Sequence, residues 1–256
     1  MTRGKFGGDS NNLVTAKVDG KTLIEIATEL FGEAPLFWGR YFKRPGNTST
    51  EQYQAARENK VLHDMNIRLL PFARQTGNVG GNRAQGQQDG ARNVDAYLAS
   101  LGADYVKSQG AAFLMFLDTE PRPGPALSVN YYVGWAGAVI ERSREVTGGA
   151  VTVLPCVYLN HNDEQTCNAL TSAVEDHGAK CHGVSVARYP TPDANKCLAA
   201  RNWSDSFVRP EARLPCDILL WQYFGDCHEW LDGNQTNPSI DLQEALLSKM
   251  ILPPPA

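Results

Sequence analysis

Several common sequence signals are missing from this chain of 256 residues, and each absence narrows what it can do. No apolar run approaches the roughly 18 residues that a membrane-spanning helix needs. Lysine and arginine form no dense cluster and the net charge is −4, so neither nucleic acid nor an anionic membrane is an expected partner. The first ten residues are polar and glycine-rich, without the apolar core of a secretory signal peptide.

Motifs of common metal and nucleotide sites are missing as well. The five histidines show no H-E-x-x-H spacing, and no two cysteines form a C-x-x-C pair, so no metal is expected. A glycine-rich stretch at residues 77–81 precedes a predicted helix. It lacks the Lys-Ser/Thr of a phosphate-binding loop, which favours a flexible loop beside a site. We therefore expect no cofactor.

Cysteine is absent from the N-terminal half, and all six cysteines lie in the C-terminal half. Six cysteines allow fifteen pairings. Cys197, Cys216 and Cys227 lie in polar, loop-like sequence, which favours at least one disulfide and an exported or otherwise extracytoplasmic protein. The alternative is a cytoplasmic protein in which six reduced thiols are mostly buried.

What the chain does contain is an alternation of short apolar strands and amphipathic helices, which predicts an α/β fold with a mostly parallel sheet. Its length matches one (β/α)₈ barrel. We predict a single TIM-like barrel domain over residues 1–256, expected to be a monomer, with an open doubly wound sheet as the alternative. Strands are predicted at residues 13–18, 36–42, 67–72, 111–117, 150–159, 184–189 and 217–223. Helices are predicted at 23–30, 49–65, 82–101, 128–146 and 164–177, and a helix is missing from the irregular residues 190–215.

The most informative stretch is an apolar strand that ends abruptly in two acids, Phe113 to Leu117 followed by Asp118-Thr119-Glu120. Strand periodicity turns the side chains of Asp118 and Glu120 to the same side. Chemistry in α/β enzymes is usually located at the carboxyl ends of parallel strands. The alternative interpretation is a strand end whose acids face water or cap the next helix.

Other polar and aromatic side chains follow the remaining predicted strands and would meet Asp118 and Glu120 at one mouth of the barrel. Aromatic rings pack on the C–H faces of sugars, and two neighbouring carboxylates with separated pKa values suit glycoside hydrolysis. Trp221 and Tyr223 alternate with Gln222, so only one of these two sets can line the cleft. The arginines could instead be structural partners of the acids, and Asp19 could simply form a turn with Gly20. The candidates are Asp19, Arg40, Tyr41, Arg74, Asp118, Glu120, Tyr158, Arg188, Tyr189, Trp221, Gln222 and Tyr223.

Five short segments follow one another along the chain, and their order carries a family resemblance: Val18-Asp19, Gly39-Arg40-Tyr41, Asp118-Thr119-Glu120, Leu220-Trp221-Gln222-Tyr223 and Ile240-Asp241-Leu242. This set resembles the barrels of family 25 glycoside hydrolases, the lysozyme-type muramidases. It is more similar still to the glycoside hydrolase-like domain of unknown function in the same clan. The resemblance implies that Glu120 is the general acid, that Asp118 tunes it or holds the N-acetyl group of the substrate, and that Asp19 lies across the cleft. It also implies that the acetamido group of the substrate can replace an enzymic nucleophile.

The chain departs from the lysozyme pattern at two places. Asp19 is followed by Gly20-Lys21 in place of an Asp-x-Ser signature, and the sixth strand carries Arg188-Tyr189 where those enzymes commonly have another acid. The leading hypothesis is a glycoside hydrolase that cleaves peptidoglycan of bacterial cell walls or a related N-acetylated glycan. The second is a barrel that binds glycan without cleaving it. The third is a metal-dependent phosphodiesterase.

Overall fold

Eight strands close into a barrel in the computed structural model, which describes residues 3–120, 124–190, 197–199, 201–228 and 230–255. The predicted α/β barrel is thereby confirmed. A two-stranded hairpin of β2 (Lys17–Val18) and β3 (Lys21–Thr22) lies outside the barrel. The barrel strands are β1 (Phe6–Asp9), β4 (Phe37–Tyr41), β5 (Arg68–Arg74), β6 (Ala112–Asp118), β7 (Thr152–Asn160), β8 (Val184–Ala187), β9 (Ile218–Cys227) and β10 (Leu231–Thr236).

The closing strand, β10, runs against its neighbours. It pairs antiparallel with β1 on one side and with β9 on the other, whereas the remaining barrel pairs are parallel. The ring order is β1-β10-β9-β8-β7-β6-β5-β4, so β10 lies four strands from β6 in either direction. Strands β6 and β10 therefore face each other across the barrel.

The helices cover the outside of the barrel and follow from ordinary capping signals. Asn82, Ser128 and Asp163 each accept a hydrogen bond from a backbone N–H of the first helical turn. In the described part of the β8–β9 connection the only helix has four residues, which confirms the predicted missing helix. None of the described helices is long and apolar enough to cross a membrane. The helices are α1 (Leu23–Phe31), α2 (Ala55–Asp64), α3 (Arg83–Leu101), α4 (Ala103–Gln109), α5 (Val129–Thr147), α6 (Glu164–Glu175), α7 (Asp205–Val208) and α8 (Leu242–Ala245), followed by a 3₁₀ turn (Leu247–Lys249).

The predicted first strand, residues 13–18, is wrong. The first barrel strand is β1, whose centre is Gly7-Gly8, and its sequence looks like a flexible terminus rather than a strand. A Cβ atom on Gly7 would lie 2.3 Å from the ring of Phe37, and one on Gly8 would lie 2.7 Å from the ring of Trp38. Glycine is therefore required because the large aromatic side chains of β4 pack directly on the backbone of β1.

The predicted start of the second helix, at residues 49–52, is also wrong, because α2 begins only at Ala55. The side chain of Gln52 accepts hydrogen bonds from the backbone N–H groups of Lys43 and Arg44 rather than capping a helix. Ser49 accepts from the N–H of Glu51 within the same loop. The polar residues that suggest a capping box thus organise the loop that follows β4.

The interior of the barrel is filled by side chains, so that it forms a packed core below the mouth rather than a pore. Phe72 lies at its centre, in ring contact with Tyr41, Phe116 and Tyr158. At the opposite end, Leu246 and Met250 of the C-terminal segment belong to the same apolar cluster. This packing leaves the mouth as the place where polar side chains collect.

A disulfide joins Cys197 and Cys227, which confirms the prediction of at least one disulfide, whose pairing the sequence left open. It joins the β8–β9 connection to the last residue of β9. The remaining four cysteines are free thiols, of which Cys156 and Cys167 are buried and Cys181 and Cys216 are partly exposed.

Candidate active site

The two acids of the Asp118-Thr119-Glu120 motif lie together at the mouth of the barrel. Asp118 is the last residue of β6 and is buried, and its Oδ1 accepts a hydrogen bond of 3.1 Å from the backbone N–H of Glu120. The hydroxyl of Thr119 donates to the carbonyl oxygen of Tyr158 on the adjacent strand, at 2.8 Å. The motif is therefore fixed to β7 by its central residue, while its two acids remain beside the cleft.

A cleft with a volume of about 180 Å³ opens above these acids. Of the residues expected at the mouth, Tyr41, Arg74, Asp118 and Glu120 line it. The structure adds aromatic and acidic side chains from the β9–β10 hairpin. The complete lining is Asn11, Tyr41, Arg74, Thr76, Asp118, Glu120, Asp226, Trp230 and Asp232.

Hydrogen bonds connect Glu120 to the far side of the barrel through Tyr158 and Gln222. The Oη of Tyr158 lies 2.7 Å from Oε1 of Glu120 and 2.8 Å from Oε1 of Gln222. Tyr189 donates to the same amide oxygen at 2.8 Å. The amide nitrogen of Gln222 donates to Oδ2 of Asp9 at 3.1 Å and is 3.5 Å from Oδ2 of Asp232. Predicted site residues on β7, on β9 and just after β8 thus join in one network.

Burial dominates the electrostatics of the site. It raises the pKa of Asp118 to about 7, and the negative charge of Glu120 adds to this effect. Burial likewise raises the pKa of Asp9 to about 6, although hydrogen bonds from Asn234 and Gln222 work against it. Burial and the negative charge of Asp9 raise the pKa of Asp232 well above its usual value. The site can therefore hold protons close to neutral pH, as general acid–base chemistry requires.

The raised pKa of Asp118 also predicts a cost in stability. The folded chain binds this proton more tightly than the unfolded chain, so the contribution of Asp118 to the free energy of unfolding falls as the pH rises from about 4 to about 7. We expect Asp118→Asn to raise the free energy of unfolding by about 1–2 kcal/mol at pH 8 and to give no such gain at pH 4. Urea unfolding at both pH values measures this, and an equal effect at both would contradict it.

Asp19 does not reach the cleft. It lies in the turn of the β2–β3 hairpin with a positive φ of 50° and is exposed beside His228 in a different surface pocket. The placement expected of Asp19 rested on the wrong first strand, and the Asp-Gly turn is the correct interpretation. Asp9, the last residue of β1, takes the position instead, and Asn234 donates to its Oδ2 at 2.6 Å.

Arg40 is not a substrate-contacting residue, because its side chain is completely buried on the outer side of β4. Its Nε lies 2.8 Å from Oε2 of Glu58 on α2, and its remaining donors reach the carbonyl oxygens of Ser10 and of residues 50–52. Arg40 thus connects β4, α2 and the loop after β1. Arg74 does line the cleft, where it stacks on Tyr41 and pairs with Glu51 at 3.1 Å.

Three further residues expected in the cleft point away from it. Arg188 stacks on Phe207 and donates to the carbonyl oxygen of the same residue, and it lines a separate pocket with His161. Trp221 donates its indole N–H to the carbonyl oxygen of Arg188, and Tyr223 packs among apolar rings. Of the two alternating sets on β9, Gln222 is therefore the one that faces the site.

The residues that the structure describes contain one candidate set of metal ligands. Cys197, Cys227 and His228 are the one set there whose potential ligand atoms lie within 4.8 Å of one another. The two sulfur atoms are joined in the disulfide and cannot serve as thiolate ligands. The described carboxylates of the cleft form no comparable set.

Comparison with known proteins finds solved structures of similar fold but no related sequence family. No family model and no curated protein sequence matches the chain. An uncharacterized protein of B. stearothermophilus with a solved structure is 17% identical, and the match covers 97% of this chain and 100% of that one with a TM-score of 0.68. The two chains share one fold. Two weaker matches are the spore cortex lytic enzyme SleM of Clostridium perfringens and the bacterial lysozyme of Streptomyces coelicolor.

Both of these matches cover more than nine tenths of this chain. SleM is 14% identical with a TM-score of 0.49, and the match covers 93% of this chain and 68% of that one. The Streptomyces lysozyme is 18% identical with a TM-score of 0.47, and the match covers 97% and 99%. A lysozyme and a cortex lytic enzyme are thus among the solved structures that the chain resembles, and at these identities the likeness concerns the course of the backbone.

Proposed function

We propose that this protein is a glycoside hydrolase that acts on peptidoglycan or a related N-acetylated glycan. The observation that carries the proposal is the pair Asp118 and Glu120 at the end of β6, beside a cleft with acidic side chains on its opposite wall. The sequence resemblance to lysozyme-type barrels supports the same reaction class. A single domain over residues 1–256, a monomeric state and an extracytoplasmic location complete the proposal, and the disulfide supports the last of these.

In this proposal Glu120 is the general acid. Its proton passes to the oxygen of the leaving sugar as the glycosidic C–O bond breaks, and water supplies the hydroxyl group that the other sugar gains. Asp118, within hydrogen-bonding distance of the backbone of Glu120, tunes the acid or holds the N-acetyl group of the substrate. The rings of Tyr41 and Trp230 on the cleft wall suit the apolar faces of the sugars. Asp9, at the end of β1, takes the assisting role that the sequence assigned to Asp19.

The test is incubation of the protein with purified peptidoglycan and, separately, with chitin oligomers. Reducing ends would be quantified and the fragments identified by mass spectrometry. Release of muropeptides with new reducing ends is the expected result. Loss of turbidity without new reducing ends would contradict the proposal, because it indicates cleavage of peptide or amide bonds instead.

A barrel that binds glycan without cleaving it remains the second candidate, and the missing acid on the sixth strand favours it. If Arg40, Arg74 and Arg188 neutralised the acids of the motif, binding without catalysis would be the better proposal. Arg40 pairs instead with Glu58, and Arg188 binds the carbonyl oxygen of Phe207. Arg74 pairs with Glu51, and its positive charge lowers the pKa of Asp118 without outweighing the effect of burial. Sedimentation of the protein with insoluble peptidoglycan, without release of fragments, would support the binding function.

A further inference from the structure

The β9–β10 hairpin carries an acidic side chain that the sequence motifs do not indicate. Asp232 is the second residue of β10, and because this strand is antiparallel, its first residues lie at the mouth where the parallel strands end. In the ring of eight strands, β10 is opposite β6, which bears Asp118. Asp232 and Glu120 both line the cleft, so a sugar bound there lies between them.

The surroundings of Asp232 hold its carboxylate in a defined position. Its Oδ1 accepts a hydrogen bond of 2.7 Å from the backbone N–H of Asp226, and its Oδ2 lies 3.5 Å from the amide nitrogen of Gln222. A Cβ atom on Gly225 would lie 3.2 Å from Oδ1 of Asp232 and 2.9 Å from the hydroxyl of Tyr189, so this neighbour must be small. The hairpin is further fixed by the disulfide at Cys227.

Glycosidic bond cleavage produces a positively charged, oxocarbenium-like sugar, which a carboxylate on the side opposite the general acid stabilises. We propose that Asp232 supplies this charge and is a second catalytic residue, which replaces the acid that lysozyme-type barrels carry on the sixth strand. The inference rests on the proposed glycosidase function. It gives the antiparallel strand a chemical role as well as the role of closing the barrel.

Asp232 must be ionised to act in this way, so protonation at low pH limits the rate. Its pKa is raised by burial, which places this limitation nearer to neutral pH than for an ordinary aspartate. In Asp232→Asn the group is absent, and the acidic limb of the pH profile is expected to move to lower pH. The titratable and charged groups that surround the cleft beside Asp232 are Asp9, Tyr41, Arg74, Asp118, Glu120, Tyr158, Tyr189 and Asp226.

The experiment compares wild type, Asp232→Asn and Asp104→Asn on soluble peptidoglycan strands. Asp104 is the control for the same chemical change, since its side chain is 96% exposed on α4 and does not line the cleft. For Asp232→Asn we expect kcat to fall about 100-fold with KM changed by less than about threefold, together with the shifted acidic limb. Asp104→Asn should retain the activity of wild type.

Two outcomes would overturn the role of Asp232 in an active enzyme. One is a kcat within about threefold of wild type, and the other is a uniformly lower rate without movement of the acidic limb, which indicates a structural effect. A wild type that is inactive on peptidoglycan and chitin would overturn the hydrolase proposal itself, and the role of Asp232 with it. Circular dichroism of the three proteins establishes that each is folded.

Two of the free cysteines lie against each other at the closed end of the barrel. The sulfur atoms of Cys181 and Cys216 lie 2.6 Å apart, closer than unbonded sulfur atoms pack and slightly farther than the S–S bond of about 2.05 Å. Cys181 lies shortly before β8 and Cys216 shortly before β9, at the end of the barrel opposite the mouth. We infer that these two residues form a second disulfide when the protein is oxidised.

Oxidation removes two protons and two electrons from the pair, and a disulfide such as oxidised glutathione accepts them by thiol exchange and becomes two thiols. Two bonds would then hold the β8–β9 connection. Cys181–Cys216 would join its end to the segment before β8, and Cys197–Cys227 joins its middle to the end of β9 at the mouth. This is the connection in which the described residues include a helix of only four residues. Covalent bonds would there substitute for the missing helix packing.

The test is the number of alkylated thiols in protein that was incubated with oxidised glutathione and then denatured without reductant in N-ethylmaleimide. Two adducts, on Cys156 and Cys167, are expected, whereas four would overturn the inference. Peptide mapping must join Cys181 to Cys216, and a bond from Cys181 to Cys156 would equally refute it. Cys181→Ser should give three adducts and lower the Tm of the oxidised protein by roughly 5–10 °C.

Discussion

Replacing Glu120 by glutamine is expected to lower kcat on peptidoglycan by about 10³-fold or more, because the amide cannot deliver a proton to the leaving sugar. The substitution preserves the size of the side chain and its distance from Tyr158. Folding and glycan binding should therefore change little. The measurement is the rate of reducing-end release, with the dissociation constant for glycan measured in parallel.

A matched control for Glu120→Gln is Asp19→Asn. Asp19 is exposed in the β2–β3 turn and lies outside the cleft, so this variant should keep the activity of wild type. An unchanged rate in Glu120→Gln would remove this residue from the mechanism. A large loss of activity in Asp19→Asn would show that Asp19 acts in the site, as the sequence suggested, and would contradict its placement outside the cleft.

Replacing Arg40 by methionine is expected to lower the free energy of unfolding by about 3–5 kcal/mol. The side chains of Arg40 and Glu58 are both 0% exposed, so the substitution leaves a buried carboxylate without its partner. Chemical denaturation of the purified variant measures this change. It is expected to be among the largest single effects in the chain, since the same arginine also binds carbonyl oxygens of two loops.

The double variant Arg40→Met, Glu58→Met separates the lost ion pair from the lost packing. It should be more stable than Arg40→Met alone, because no uncompensated charge is left in the core. Lys60→Met serves as the control, since the pair Lys60–Asp64 is exposed and contributes about 0.5 kcal/mol or less. A loss below about 1 kcal/mol in Arg40→Met would show that the buried pair is not a main source of stability.

The sequence predicted the parallel part of the barrel well, because its strands are continuous apolar runs separated by helices with clear caps. It also indicated the Asp118-Thr119-Glu120 motif, since an apolar strand that ends in two acids has a recognisable pattern. It did not reveal β1 or β10. The first is too rich in glycine, and the second, Leu231 to Thr236, is too polar to be recognised as a strand.

These two missed strands carry Asp9 and Asp232, so half of the acidic network could not be found from hydrophobic pattern alone. Asp9 follows Phe6-Gly7-Gly8, and this segment could have been recognised as a strand that ends in an acid. That requires allowing glycine inside a strand where a neighbouring ring packs on the backbone. The prediction that Arg40 faces the cleft was wrong for a related reason. Gly39 faces the interior against Asp9 and Phe72, and a glycine does not show which face of a strand is the inner one.

The position of β10 between β1 and β9 also matters while the chain is being synthesised. Strand β1 can pair with β4 early, but its other edge stays open until residues 232–235 have left the ribosome. An unpaired edge is a site of association between chains, and here it persists until the last of the eight barrel strands has been made. Barrel closure is thus a late, long-range event, and newly made chains are expected to depend on chaperones until the final hairpin is in place.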